Sequence, residues 1–172
     1  MTRRGWNARE FLKLQSEQAI QDEEIRHIIL PLKDKPGALL PVLHSLQDKF
    51  GYVPPEAVPV IADELNLTRA DVHGVISFYH DFRSEPPGRH ILKICLAESC
   101  QAVGGITLTA LAKLRLGVDF HETTTDRAFT LEPAYCLGGC ACSPTIMVDG
   151  EVHGRVSPER FSELLEEARS KP

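Results

Sequence analysis

The chain has 172 residues, 42% of them hydrophobic and 25% charged, with a formal net charge of −5. That length suits one ordinary domain or two small ones, and the composition is that of a globular protein rather than a disordered or fibrous one. The negative balance gives no electrostatic reason to bind nucleic acid or an anionic membrane.

No apolar run approaches the roughly 20 residues of a membrane-spanning helix. The Arg3-Arg4 pair lacks the apolar stretch of an export signal, because Asn7-Ala8-Arg9-Glu10 interrupts it, and the early Glu10 and Glu17 do not suit a transit peptide. The expected setting is the cytoplasm, where thiols stay reduced and paired cysteines serve metal or redox chemistry.

Residues 1–33 read as a loosely amphipathic helical arm, with Phe11, Leu14, Ile25, Ile28 and Ile29 among many charges. Its imperfect periodicity suggests an arm that orders on a partner. Asp34-Lys35-Pro36-Gly37 is a turn. Residues 34–86 are then expected to form a helical bundle domain. Leu39, Val42, Leu43 and Leu46 make one apolar face, closed by Phe50-Gly51. Pro54 and Pro55 precede a helix over 56–65 with Val58, Ile61, Ala62 and Leu65 inward. Thr68 is the predicted N-cap of a third helix, which ends at an aromatic cluster of Phe78, Tyr79 and Phe82.

Glu85-Pro86-Pro87-Gly88 is the strongest linker signal, after which the period changes. Residues 90–96 alternate as a strand running into Cys95. A helix is expected from about Thr107 to Leu116, and a strand over 128–135 runs into Cys136. Residues 145–148 and 151–153 form a hairpin around Asp149-Gly150. Ser157 and Pro158 open a last helix carrying Phe161, Leu164, Leu165 and Ala168. The fold class is therefore α+β, an N-terminal helical bundle followed by a thioredoxin-like α/β domain over 87–172.

Four of the five cysteines form two close pairs, Cys95/Cys100 in Cys-Leu-Ala-Glu-Ser-Cys and Cys136/Cys140 in Cys-Leu-Gly-Gly-Cys. Each pair sits where a strand stops, so the thiols should lie on loops at one sheet edge. Thiolate sets of this kind hold either a structural zinc or an iron–sulfur cluster. Gly138-Gly139 would let the second loop wind closely and aim N–H groups at sulfur. Two pairs on glycine-bearing loops argue against ordinary buried cysteines, and the Cys-x-x-Cys of dithiol enzymes is absent. Cys142 reads as a spare thiol. His73 and His80 read as packing or surface groups. No nucleotide-binding glycine loop or Ser/His/Asp set appears, so no catalytic residue is assigned.

The spacing Cys-x4-Cys, a long gap, then Cys-Leu-Gly-x-Cys resembles the thioredoxin-like [2Fe–2S] subunit family. That family includes the 24-kilodalton subunit of respiratory complex I and its relatives in NAD-reducing hydrogenases and NAD-dependent formate dehydrogenases. The resemblance also runs through residues 47–53 (Gln-Asp-Lys-Phe-Gly-Tyr-Val), 75–82 and 135–144. Within the family, Phe-Tyr-His-Asp-Phe-Arg, Cys-Leu-Ala-Glu-Ser-Cys-Gln-Ala and Met147-Val148-Asp149-Gly150 look most like the gamma subunit of cytoplasmic NAD-dependent formate dehydrogenase. The resemblance implies that Cys95, Cys100, Cys136 and Cys140 hold one [2Fe–2S] cluster, one pair per iron. It implies docking, aided by the helical half, against a flavoprotein subunit that binds FMN and NAD(H), with a molybdenum- or tungsten-containing subunit oxidising formate. The rival from another class is a non-enzymatic assembly module whose four cysteines bind a structural zinc.

Overall fold

The computed structural model describes residues 22–170. The chain divides into two compact units, one up to Pro86 and one from Pro87. Phe11 and Leu14 of the expected arm lie outside the described residues.

The first unit is helical: α1 (22–29), α2 (Leu39–Phe50), α3 (Ala57–Leu65) and α4 (Arg69–Phe78). Each helix contributes a stripe to one core. Ile25, Ile29, Val42, Leu43, Leu46 and Ile61 are fully buried there. Burying side chains of this size stabilises by about 1.5–3 kcal/mol each. The arm expected to order on a partner is thus corrected in its described part: Ile25 and Ile29 are anchored in this chain's own core, ahead of the expected boundary at residue 34.

The helix ends follow the sequence signals. Gly51 closes α2 at φ 81°, a conformation glycine reaches without steric cost, and its N–H reaches Gln47 O at 2.7 Å. Thr68 caps α4 reciprocally. Its hydroxyl accepts from the Asp71 amide at 3.1 Å, and the Asp71 carboxylate accepts from the Thr68 amide at 3.0 Å. Phe78 and Tyr79 meet edge-on with ring centroids 5.1 Å apart, and Tyr79 and Phe82 at 6.3 Å.

The second unit is a five-stranded sheet in the order β2-β3-β1-β4-β5, with strands β1 (His90–Cys95), β2 (Glu122–Thr123), β3 (Phe129–Ala134), β4 (Ile146–Val148) and β5 (Glu151–His153). The central pair β1/β3 is parallel, which requires a crossover. The crossover includes a single helical turn, α5 (Glu98–Cys100), and the longer α6 (Ile106–Leu116). Leu108, Ala112 and Leu116, spaced four apart, give α6 its buried stripe. Helix α7 (Pro158–Ser170) buries Phe161, Leu164, Leu165 and Ala168 in the same core as Leu92, Ile94, Phe129 and Leu131. The Ser157 hydroxyl accepts the Arg160 amide at 3.2 Å, as an N-cap should. The chain therefore has the α+β fold expected, helices first and a thioredoxin-like α/β unit after them. The two-residue β2 and the α5 turn were not foreseen.

The hairpin turn has φ 50° at Asp149 and 88° at Gly150, the positive pair that a tight two-residue turn needs. Asp149 also fastens the turn to β1. Its carboxylate accepts the Ile91 amide at 2.8 Å and lies 2.7 Å from Nδ1 of the buried His90.

Candidate metal centre

Parallel pairing explains why distant cysteines meet. Cys95 and Ala134 are opposite partners at the ends of β1 and β3, so the chain leaves both strands at the same edge. The Leu96 amide still reaches Ala134 O at 2.7 Å, holding the two exits together. Antiparallel β4 runs on the other side of β1, and the Cys95 amide donates to Thr145 O at 3.1 Å.

After Cys95 the chain takes the short turn α5, which points Cys100 inward. Cys95 is 2% exposed and Cys100 1%. The Gln101 side chain donates to Leu96 O at 2.6 Å and its amide to Ala97 O at 3.0 Å, closing this loop. The backbone then leaves helical geometry at Val103 and Gly104, the latter at φ 105°, before α6 begins. Gly105 lies directly over the first loop. A Cβ there would stand 2.6 Å from Cys100 O, so the close approach excludes any side chain.

The second loop differs in exposure. Cys136 and Cys140 are both exposed. Gly138, at φ 77°, donates its N–H to Cys136 Sγ at 3.3 Å, which is the role expected of the glycine pair. Cys140 opens a short helical turn through Cys142, followed by the cis Ser143–Pro144 bond. The two loops are stitched by hydroxyls. Ser99 Oγ donates to Cys140 O at 3.2 Å and lies 3.0 Å from Ser143 Oγ, which itself donates to Cys140 O at 2.9 Å. Ser143 Oγ and Thr145 Oγ1 each stand 3.4 Å from Cys100 Sγ.

These surroundings set the thiol electrostatics. Burial pushes the Cys100 thiol up, but its hydrogen bonds with Ser143, with the Thr145 hydroxyl and backbone, and with Cys95 outweigh it and leave the pKa lowered. Cys140 moves the other way. Its neighbour Cys136 raises it first by hydrogen bonding and then by charge, with desolvation and the charges of Cys100 and Cys95 adding to it. Cys140 thus feels the other three members of the predicted set.

The grouping is two neighbouring pairs rather than one tight quartet. Among the described residues no three His, Cys, Asp or Glu side chains converge on a point that could hold a single metal ion.

Cys142 is exposed, and its Cβ lies against Gly154. A Cβ on Gly154, beyond β5, would lie 2.7 Å from Cys142 Cβ, and Cys142 O accepts the Arg155 amide at 2.6 Å. His73 and His80 are exposed on the helical unit. Sequence reasoning missed Ser99, Ser143 and Thr145. The one available signal was the Cys-Ser-Pro-Thr run after the second pair, two hydroxyls flanking a proline, but nothing in it names Cys100 as their target.

The model of the thioredoxin-like [2Fe-2S] ferredoxin family matches residues 25–169. The chain belongs to this family. Among relatives of this ferredoxin-family chain, the NADP-reducing hydrogenase subunit HndA of Solidesulfovibrio fructosivorans is 35% identical over 144 residues, 84% of each chain. An NADH-quinone oxidoreductase subunit of Pseudomonas aeruginosa is 33% identical, covering 91% of this chain and 92% of that one. Its counterpart in Escherichia coli K12 is 35% identical over 86% and 89% respectively. Among solved structures, an air-oxidized NAD+-reducing [NiFe]-hydrogenase aligns with a TM-score of 0.64 at 19% identity, over 75% of this chain. The match spans 23% of that longer chain, and it bears on the fold alone. Among the described residues no helix is long and apolar enough to cross a membrane.

Proposed function

We propose that Cys95, Cys100, Cys136 and Cys140 hold one [2Fe–2S] cluster, one pair to each iron. We propose further that the chain is the electron-transfer subunit of an NAD-linked oxidoreductase complex. The observation that carries this reading is the meeting of two thiol pairs on loops that leave parallel neighbouring strands. When bound, such a cluster takes up and returns single electrons. The chain's own part is to hold and shield it. Cys95 and Cys100 sit away from water, whereas Cys136 and Cys140 form the exposed side on which a redox partner can approach. Hydride chemistry releases electrons in pairs, so a one-electron site beside a flavin suits the NAD-linked assignment.

Within that class the reading is the gamma-type subunit of a cytoplasmic NAD-dependent formate dehydrogenase, supported by the stretches at 78–83 and 95–102. Its partners are then a flavoprotein binding FMN and NAD(H) and a molybdenum- or tungsten-containing subunit that oxidises formate. A second reading, the corresponding subunit of an NADH-quinone oxidoreductase or NAD-reducing hydrogenase, is favoured by what the relatives are called.

One purification tests both levels. The chain is isolated without oxygen, with iron, acid-labile sulfide and zinc counted, and with its complex retained through a tag. Two irons and two sulfides, with an EPR signal appearing on reduction, support the cluster; zinc without iron overturns it in favour of an assembly module. Formate-dependent reduction of NAD by the complex supports the finer reading. Hydrogen-dependent NAD reduction, or NADH oxidation by quinone without formate turnover, replaces it with the second.

A further inference from the structure

Thr145 is 1% exposed, so its hydroxyl has no water to bond. Among the described residues that hydroxyl has one partner, Cys100 Sγ, at 3.4 Å. A metal-bound thiolate only accepts hydrogen bonds, so beside it the threonine must be the donor. Ser143 is placed at the same distance from Cys100 Sγ, but its hydroxyl also has Cys140 O at 2.9 Å and Ser99 Oγ at 3.0 Å as partners. Thr145 is therefore the hydroxyl committed to this sulfur.

Its orientation comes from the opposite loop. A Cβ on Gly139 would stand 2.7 Å from Thr145 Cγ2, so the threonine methyl occupies the space that glycine leaves open. On a β-branched side chain, seating the methyl there fixes where the hydroxyl points. The Thr145 carbonyl, meanwhile, accepts from Cys95. One residue thus touches the first pair through two atoms and the second loop through a third.

We propose that Thr145 is a positioning residue that raises the reduction potential of the centre by donating its hydroxyl proton to the Cys100 sulfur, with Gly139 holding it in that orientation. The proposal rests on the cluster reading above. Reduction adds negative charge, and a hydrogen bond to a ligand sulfur stabilises the more negative state.

The test is an EPR-monitored redox titration of the full chain and of Thr145→Val, Thr145→Ser and Gly139→Ala, prepared without oxygen. Resonance Raman spectra of the Fe–S stretches are taken in H2O and D2O. Thr145→Val keeps the side-chain shape and should retain two irons and two sulfides while titrating at a more negative potential. Thr145→Ser restores the hydroxyl and should return the potential toward wild type. The deuterium-sensitive Raman shift should shrink in Thr145→Val. An unchanged potential in a fully loaded Thr145→Val overturns the proposal, as does Thr145→Ser falling as far as valine. Should Thr145→Val fail to load, Gly139→Ala decides: it displaces the methyl with the hydroxyl present, and a loaded protein at wild-type potential overturns the role of orientation. Wild-type Raman bands indifferent to deuterium overturn the donation with no variant at all. A wild-type chain devoid of iron would defeat the cluster reading instead, a different and separately visible failure.

Discussion

Cys95 and Ala134 face one another in the parallel register of β1 and β3, and the Leu96 amide closes the pair onto Ala134 O. The two thiol-bearing loops owe their proximity to that pairing, not to any contact between the cysteines themselves. The helical unit has its own core, so the thiols can be altered without touching it.

Cys136→Ser should therefore abolish the iron content while the helical signal by circular dichroism is preserved. Cys142→Ser should leave iron and sulfide unchanged, because the two pairs already supply four thiols and the Cys142 Cβ lies against Gly154. Loss of iron in the second variant would make Cys142 a ligand.

Two glycine-to-alanine changes should have opposite signs. At Gly105 the added methyl meets the Cys100 backbone at 2.6–2.8 Å, and backbone does not yield cheaply. We expect a loss of about 1–3 kcal/mol, the usual range for overpacking, together with lower iron occupancy. At Gly74, inside α4, a Cβ meets nothing within 4 Å. Alanine there should stabilise by about 0.5–1 kcal/mol. Denaturant midpoints of the two variants check both.

The capping box of α4 should be visible in the pH dependence of stability. The Thr68 hydroxyl, and then the Thr68 amide, hold the Asp71 carboxyl below its ordinary pKa. A pKa depressed on folding means stability that is complete above the ordinary aspartate range and lost as the pH falls through the folded value. The effect thus belongs below about pH 4. Thr68→Ala should cost about 1 kcal/mol at neutral pH and flatten that acid dependence. Unfolding curves at several pH values measure it, and an undiminished acid slope in the variant would assign the dependence to other carboxylates.

Asp149→Ala should destabilise the α/β unit by about 1–3 kcal/mol, the cost of leaving the buried His90 ring without its partner. It removes the acceptor of the Ile91 amide and the partner of the buried His90. Asp149→Asn should cost less, since asparagine tolerates the positive φ and retains one oxygen acceptor. Equal losses in thermal unfolding would show that charge, not turn geometry, dominates.

Much of this architecture was legible locally. Thr68, Gly51 and Ser157 act through partners within a few residues, and the Asp149-Gly150 turn is set by its own backbone angles, which is why these roles could be read along the chain. The cysteine pairs were legible for the same reason, since each follows its strand directly. The hydroxyl shell was not. Thr145 lies 45 residues from Cys100, and only the order of strands brings them together. The two-residue β2 is too short to show a period at all. The burial of the arm's described end was not legible because a helix buried on a narrow stripe needs few apolar residues, and Ile25 and Ile29 suffice.

The margins of the sheet have a further consequence for assembly. β2 offers two residues and β5 three, and Glu122 and Glu151 stand on these outer strands. Such short, charged borders make poor templates for a strand from another chain. Extension of this sheet by a strand from another chain is therefore disfavoured at both edges.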